Sequence, residues 1–359
     1  MAEQQVSGAL LLEEFSPRST LVVAEHIVER PRFPAIDAHN HLGFRTDSFG
    51  NPVSGEGTGW MGDVDELVKT MDCCDIRAIV NLSGAWGADL KRLLEQYEGR
   101  HSGRFVTFAN VDWRRAGERG FGEWAAKQLE ESVRAGARGF KVFKGLGLQA
   151  RDASGKLLSP DDERLDPLWA TAGELKVPVL IHVADPVAFF QPLDRYNEAY
   201  LTLQRWPEWH FYGGDFPTFQ TLIDAGIRLM ERHPSTTFIT PHTGWYSENL
   251  GFVGAQMLDK LPNMVIDFSA RISILGRQPH AARKFFIKYQ DRILFGTDAT
   301  PTAQVYQTYF RFLETDDDAF EARPGRASSL IYGLNLPDDV LRKVYYENAV
   351  RVIPGLRIG

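Results

Sequence analysis

Short, nearly continuous apolar runs alternate along the chain with longer segments in which apolar residues recur three and four positions apart. The runs begin at Ala35, Arg77, Phe105, Gly139, Val177, Thr237, Met264 and Arg292, and include "AIDAHNH", "GFKVFKG" and "RILFGTDA". Runs of this kind are strands covered on both faces. The intervening segments, among them "DVDELVKTMDCC", "FGEWAAKQLEESVRAG" and "FQTLIDAGIRLMERHP", have the period of amphipathic helices. Eight such βα units predict an α/β fold of the (β/α)8 TIM barrel type. A doubly wound sheet is the competing architecture, but no Gly-rich dinucleotide fingerprint follows the first strand, and polar residues recur at the ends of many strands.

Neither internal repeats nor linker-like tracts interrupt this pattern, which predicts one domain over residues 35–359, with residues 1–34 as an extension packed on the barrel. Its longest departure lies near residues 186–217, where "FFQPLDRYNEAYLTLQRWPEWHFYGGDF" is unusually aromatic for a βα connection. Both a lid or binding loop and a packed helical insertion are consistent with it. The closing segment "LPDDVLRKVYYENAVRVIPG" predicts a capped amphipathic helix that seals the barrel.

Composition narrows the partners. A net charge of −7 without a Lys/Arg cluster excludes nucleic acid as a partner and favours a small-molecule substrate. Apolar stretches such as "VPVLIHVADPVAFF" fall short of the roughly 20 residues a membrane span requires. The N-terminal residues have neither the basic start nor the apolar core of a signal peptide, so cytoplasmic residence is expected. Cys73 and Cys74 are adjacent, which rules out a disulfide framework and predicts buried free thiols.

The candidate chemistry sits at the strand ends. His39 and His41 end the first strand with period-two spacing, so both imidazoles share one face and reach one ion. Alone, His-x-His is a weak signal. But His182 ends the fifth run, His242 the sixth and Asp298 the eighth, which places four of the nine histidines and an aspartate at one mouth. Singly, a core histidine or a helix cap explains each; together they predict a metal centre. Imidazole plus carboxylate suits Zn²⁺, the expected ion, and also Mn²⁺, Fe²⁺ or Ni²⁺.

Lys141, within "GFKVFKG", is costly among apolar neighbours unless something neutralises it. It is read as a carbamate bridging two metals, a cation pairing with a substrate carboxylate, or a snorkelling surface lysine. Alternation puts Lys144 on the opposite face, so at most one of the two is expected in the mouth. Arg271 follows the seventh run, placed to grip a carboxylate bidentately or to form a surface ion pair. Trp86, Trp245, Tyr246 and Arg45 are read as pocket lining or as ordinary loop packing.

The ordered set "IDAHNH", "GFKVFK", "LIHVADP", "TPHTG", "LFGTDA" and "VYYENAVRVI" resembles the amidohydrolase superfamily, and more closely its amidohydrolase 2 branch, related to aminocarboxymuconate-semialdehyde decarboxylase. The resemblance runs from Phe33 to Val352. It implies a metal-bearing (β/α)8 barrel in which His39, His41 and Asp298 bind a first metal, with His182 a further ligand. His242 then binds a second ion or acts on substrate or water. "GFKVF" is similar to the strand-four segment of hydantoinases, whose lysine is carboxylated and bridges two metals, which points to Lys141. The implied activity is hydrolysis, a metal-activated water attacking an amide, lactone or ester carbonyl of a small acidic substrate. Asp298 and His242 serve catalysis, and Arg271 and Lys141 anchor the substrate. The alternative is a metal-dependent non-oxidative decarboxylase of an unsaturated or aromatic carboxylate, although decarboxylating relatives commonly lack the lysine. A binding protein on a decayed barrel is a third reading, against which the full ligand set argues. The resemblance also implies one or two divalent ions and a homo-oligomer.

Overall fold

The computed structural model describes residues 10–12, 14–15, 19–54, 59–322 and 330–357. The apolar runs fold into β1 (Ala35–Asn40), β2 (Ile76–Asn81), β3 (Phe105–Thr107), β4 (Phe140–Val142), β5 (Val179–Ile181), β6 (Phe238–Thr240), β7 (Met264–Asp267) and β8 (Ile293–Leu294). Strands β1 to β3 form one hydrogen-bonded run and β4 to β8 another, with every pairing parallel. A bridge from Ala109 to Phe140 joins the runs at one seam. At the other, Ala38 N donates to Phe295 O and Asp298 N donates to His39 O, both at 2.8 Å. The sheet is therefore closed, and the chain is a (β/α)8 barrel.

The outer layer comprises α1 (Val64–Cys73), α2 (Gly87–Leu94), α3 (Phe121–Ala135), α4 (Asp166–Glu174), α5 (Phe219–Arg232), α6 (Pro279–Lys288) and α7 (Ala303–Glu314). In α5 the apolar spacing becomes a buried stripe of Phe219, Leu222, Ile223, Leu229 and Met230, and Thr218 caps the first turn by accepting from Thr221 N. Thr302 caps α7 in the same way, so Asp298 has no capping role there. The two cysteines differ from expectation. Both are free, but only Cys74 is buried, because consecutive positions at the end of α1 point in different directions and Cys73 turns to solvent.

Alternate strand residues fill the barrel interior with Ile36, Val80, Phe108, Leu180, Ile239, Val265 and Leu294. Ala349 of the C-terminal helical run Asp338–Val352, and Ile353 and Leu356 just after it, join this cluster against the starts of the strands. The end opposite the polar strand tips is thus stoppered. Of the N-terminal extension, the described portion is fastened near the end of α7: Arg32 N donates to Glu314 Oε1 at 3.0 Å and His26 N to Asp317 Oδ2 at 2.8 Å. The remainder of residues 1–34 lies outside the described residues. The aromatic segment near 186–217 contains short helical turns at Val187–Phe190, Tyr200–Arg205 and Pro207–Trp209, held by stacked Phe189–Trp209 and Trp206–Trp209 pairs. Among the described residues no helix is long and apolar enough to cross a membrane.

If the C-terminal stopper completes the core, Ile353→Ala lowers unfolding free energy by about 2–5 kcal/mol, measured by urea denaturation. An unchanged midpoint and slope would contradict that role.

Candidate metal centre and active site

Strand ends deliver the polar residues to one mouth. His39 and His41 leave β1 on one face, with ring centroids 5.5 Å apart. Asp298, just beyond β8, approaches His39 Nε2 at 3.8 Å and His41 Nε2 at 3.6 Å. Ligand atoms of these three residues lie within 4.8 Å of one another, and no other such group occurs among the described residues. His39 Nε2, the nitrogen that faces Asp298 Oδ1, is buried without a hydrogen-bond partner. Leaving a buried polar atom unpaired costs about 1–3 kcal/mol, so an orphan at this point signals a missing ligand rather than packing. An imidazole, imidazole, carboxylate set fits a divalent cation.

His242 adds its Nε2 at 3.8 Å from Asp298 Oδ2 and lies 5.3 Å, centroid to centroid, from His39. Its backbone carries local strain. His242, Thr243 and Trp245 have φ of 60°, 61° and 64°, a left-handed turn that disfavours L-residues by roughly 1–2 kcal/mol each. The turn is held by Trp245 N donating to Pro241 O at 3.1 Å and Trp245 Nε1 donating to Ile181 O at 2.9 Å. Trp245 is thereby corrected from a pocket-lining residue to a core wedge: its ring packs against Gly226 of α5, where even a Cβ would meet it at 2.4 Å.

His182 lies 4.6 Å from His242 by centroids but falls outside the close three-residue group. Its Nε2 is 3.3 Å from Asp185 Oδ1 without an aligned hydrogen bond. Asp185 in turn accepts from Lys144 Nζ at 2.7 Å, and that ammonium lies over the Trp209 and Phe211 rings at 5.1 and 5.5 Å. Lys144 lies two residues beyond the end of β4, where strand alternation no longer governs its direction, and its ammonium is committed to Asp185.

Lys141 is 1% exposed, forms no ion pair among the described residues, and has Nζ 5.1 Å from the Phe143 ring. Burial lowers its pKa to about 8 against the opposing charges of Asp298 and Asp267. Burial also lowers His41, His182 and His242, helped by Lys141 and His39 at His41 and by Arg271 and His182 at His242. Neutral imidazole is the form that binds metal. Arg271 is half-buried, donates to Ala270 O at 3.2 Å and pairs with no carboxylate among the described residues.

A cleft of about 540 Å³ opens beside His41 and Asp298, walled by Trp60, Ile272, Val305 and Tyr309 among others. Trp86 and Arg45 are not part of that wall: Trp86 starts α2, and Arg45 is exposed on a two-residue hairpin strand. Sequence reasoning passed over Trp60 and three buried carboxylates, Asp37, Asp185 and Asp267. "IDAHNH" offered a signal for Asp37, a charge inside an apolar strand. It accepts from His39 N, Asn40 Nδ2, Thr297 N, Thr297 Oγ1 and Tyr306 OH at 2.7–3.2 Å, joining β1 to the segment that carries Asp298.

A closed barrel with a His-His-Asp group at its mouth defines an enzyme scaffold fitted to a divalent metal. The amidohydrolase family model (Amidohydro_2) matches residues 65–355, and the chain belongs to this family of enzymes. The match spans His182, His242 and Asp298 and begins after His39 and His41. No curated protein matches the sequence. Solved structures of similar fold include the 2,6-dihydroxybenzoate decarboxylase from Rhizobium, with TM-score 0.57, 16% identity, and 89% of this chain and 98% of that one covered. The dihydroxybenzoic acid decarboxylase of Polaromonas sp. JS666, with bound manganese and 2-nitroresorcinol, has TM-score 0.53 and 16% identity, covering 81% and 86%. A putative amidohydrolase from Staphylococcus aureus has TM-score 0.52 and 18% identity, covering 81% and 91%.

The Lys144–Asp185 pair carries its own prediction. Burial acts to raise the Asp185 carboxyl, but Lys144 and His182 outweigh it and hold the group below its usual range. Because the folded pKa lies below the unfolded one, near 3.9, the pair stabilises the fold above that pH and the contribution is lost on acidification. Lys144→Met is expected to lose about 1–3 kcal/mol at neutral pH, a loss that begins to shrink only below about pH 4 and falls progressively with further acidification, by denaturation across pH. A loss that does not shrink between about pH 4 and pH 2 would contradict the pairing.

Proposed function

We propose that this protein is a metal-dependent hydrolase that opens an amide, lactone or ester bond in a small, carboxylate-bearing substrate. The observation that carries the reading is the convergence of His39, His41 and Asp298, with the buried His39 Nε2 that faces Asp298 left unpartnered. These three residues hold the ion. His182 is a further ligand after a small ring movement, and His242 and a carboxylated Lys141 complete the set if a second ion is present. Zinc is the proposed ion, and the manganese in the Polaromonas enzyme is the alternative. When bound, a divalent cation supplies Lewis-acid activation of a water molecule and of the carbonyl under attack.

The chain's own groups supply the rest. Asp298, 21% exposed at its side chain and open to the cleft, takes the proton of the attacking water and returns it to the leaving group. His242 Nε2 faces Asp298 Oδ2 across 3.8 Å, close enough for one oxygen atom of the reacting species to contact both. Arg271, and Lys141 where a single ion leaves it uncarboxylated, are cations without carboxylate partners among the described residues and anchor the substrate's acidic group.

Those same cations favour a second reading, non-oxidative decarboxylation of an unsaturated or aromatic acid. There Arg271 orients the carboxylate and Asp298 protonates the carbon before CO2 leaves. The two decarboxylases of similar fold add to its interest.

Asp298→Asn is expected to reduce turnover at least 100-fold with the melting temperature unchanged, in an assay of metal-loaded protein against carboxylated lactones, esters and amides. A variant retaining most of its activity would sink the assignment. Run in H2¹⁸O, hydrolysis puts label into the product acid, whereas CO2 release with no label in the remaining organic product identifies the decarboxylase.

A further inference from the structure

Asp267, the last residue of β7, is 0% exposed, and both its oxygens are committed. Oδ2 lies 2.8 Å from His39 Nδ1. Oδ1 accepts from Ser269 Oγ at 2.6 Å, Ser269 N at 3.0 Å and His242 N at 3.2 Å. Ser269 Oγ is also 3.1 Å from the Nδ1 of both His39 and His242, and Ser269 O lies 2.8 Å from His242 Nδ1. One carboxylate and one serine thus join a residue of β1 to the strained turn after β6.

The partners fix proton positions. A carboxylate and a carbonyl oxygen only accept, so His39 Nδ1 and His242 Nδ1 are both the donors. In the neutral ring, each Nε2 then carries the lone pair, and both Nε2 atoms face Asp298. We propose that Asp267 is a positioning residue that commits His39, and through Ser269 and the His242 amide also His242, to Nε2-outward tautomers, so that the metal ligand and the proton-handling imidazole are set by one group. This rests on the metal reading above. Orientation of a metal-binding imidazole by a carboxylate behind it is worth 10–100-fold in affinity where it occurs. Asn in place of Asp267 offers an amide N–H to His39 Nδ1 as readily as a carbonyl, and so removes the commitment without changing side-chain size.

The test uses the full-length chain and Mn²⁺, whose free fraction is read by electron paramagnetic resonance. Asp267→Asn is expected to weaken Mn²⁺ binding 10–100-fold, with the metal-free melting temperature near wild type. Ser269→Ala, which keeps the Asp267 contact to His39 and removes only the longer hydroxyl contacts to both imidazoles, is expected to weaken it by less than about threefold while lowering turnover. Affinity of Asp267→Asn within twofold of wild type overturns the proposal. If that variant does not fold, ¹⁵N-histidine spectra of the zinc-loaded wild type decide: an Nδ1–H on His39 supports the proposal, and coordination through Nδ1 overturns it. A wild type that binds neither metal defeats the metal reading alone; the His39 tautomer in metal-free protein at alkaline pH then still supports or overturns the role of Asp267.

Discussion

Everything at the mouth depends on the hydrogen-bonded seam between the ends of β1 and β8. Asp298 N donates to His39 O, and Asp37 beneath it gathers donors from both sides of the join. These bonds put residues from opposite ends of the chain within ligand distance. They also explain a charge at the centre of an apolar strand. Burial raises the Asp37 carboxyl toward protonation, opposed by the donors of Thr297, Asn40 and His39, and five polar contacts offset the desolvation of a group with no access to water.

The second theme is strain. Left-handed backbone occurs at His242, Thr243, Trp245, Ala270 and Asp298, all at strand ends on the side of the mouth. Such conformations persist where surrounding structure over-determines them. Here Asp267 holds the His242 amide, Ile181 O holds the Trp245 indole, and His39 O holds the Asp298 amide. The barrel wall, stoppered at its other end by Ile353 and Leu356, is the rigid frame against which these turns are bent.

The barrel was legible because its strands are buried on both faces and its helices on one, so hydrophobic period alone separates them. His39, His41, His182, His242 and Asp298 were legible because each polar residue ends an apolar run. What escaped depends on partners far away in sequence. Asp267 and Asp185 look like ordinary strand-end acids until His39 and Lys144 are placed beside them. The directions of Lys144 and Trp245 were open for a shared reason: side-chain direction cannot be extrapolated past the end of β4, or past a left-handed turn that no pattern of residue types announces.

The central claim is that His39, His41 and Asp298 form the floor of a metal site. X-ray absorption of the metal-loaded, full-length protein at the zinc or manganese edge tests it most directly. The account predicts a mixed nitrogen and oxygen shell with the outer-shell scattering of at least two imidazoles, reduced by one when His39 is replaced by Ala. An all-oxygen shell with no imidazole scattering, unchanged in that variant, would contradict it.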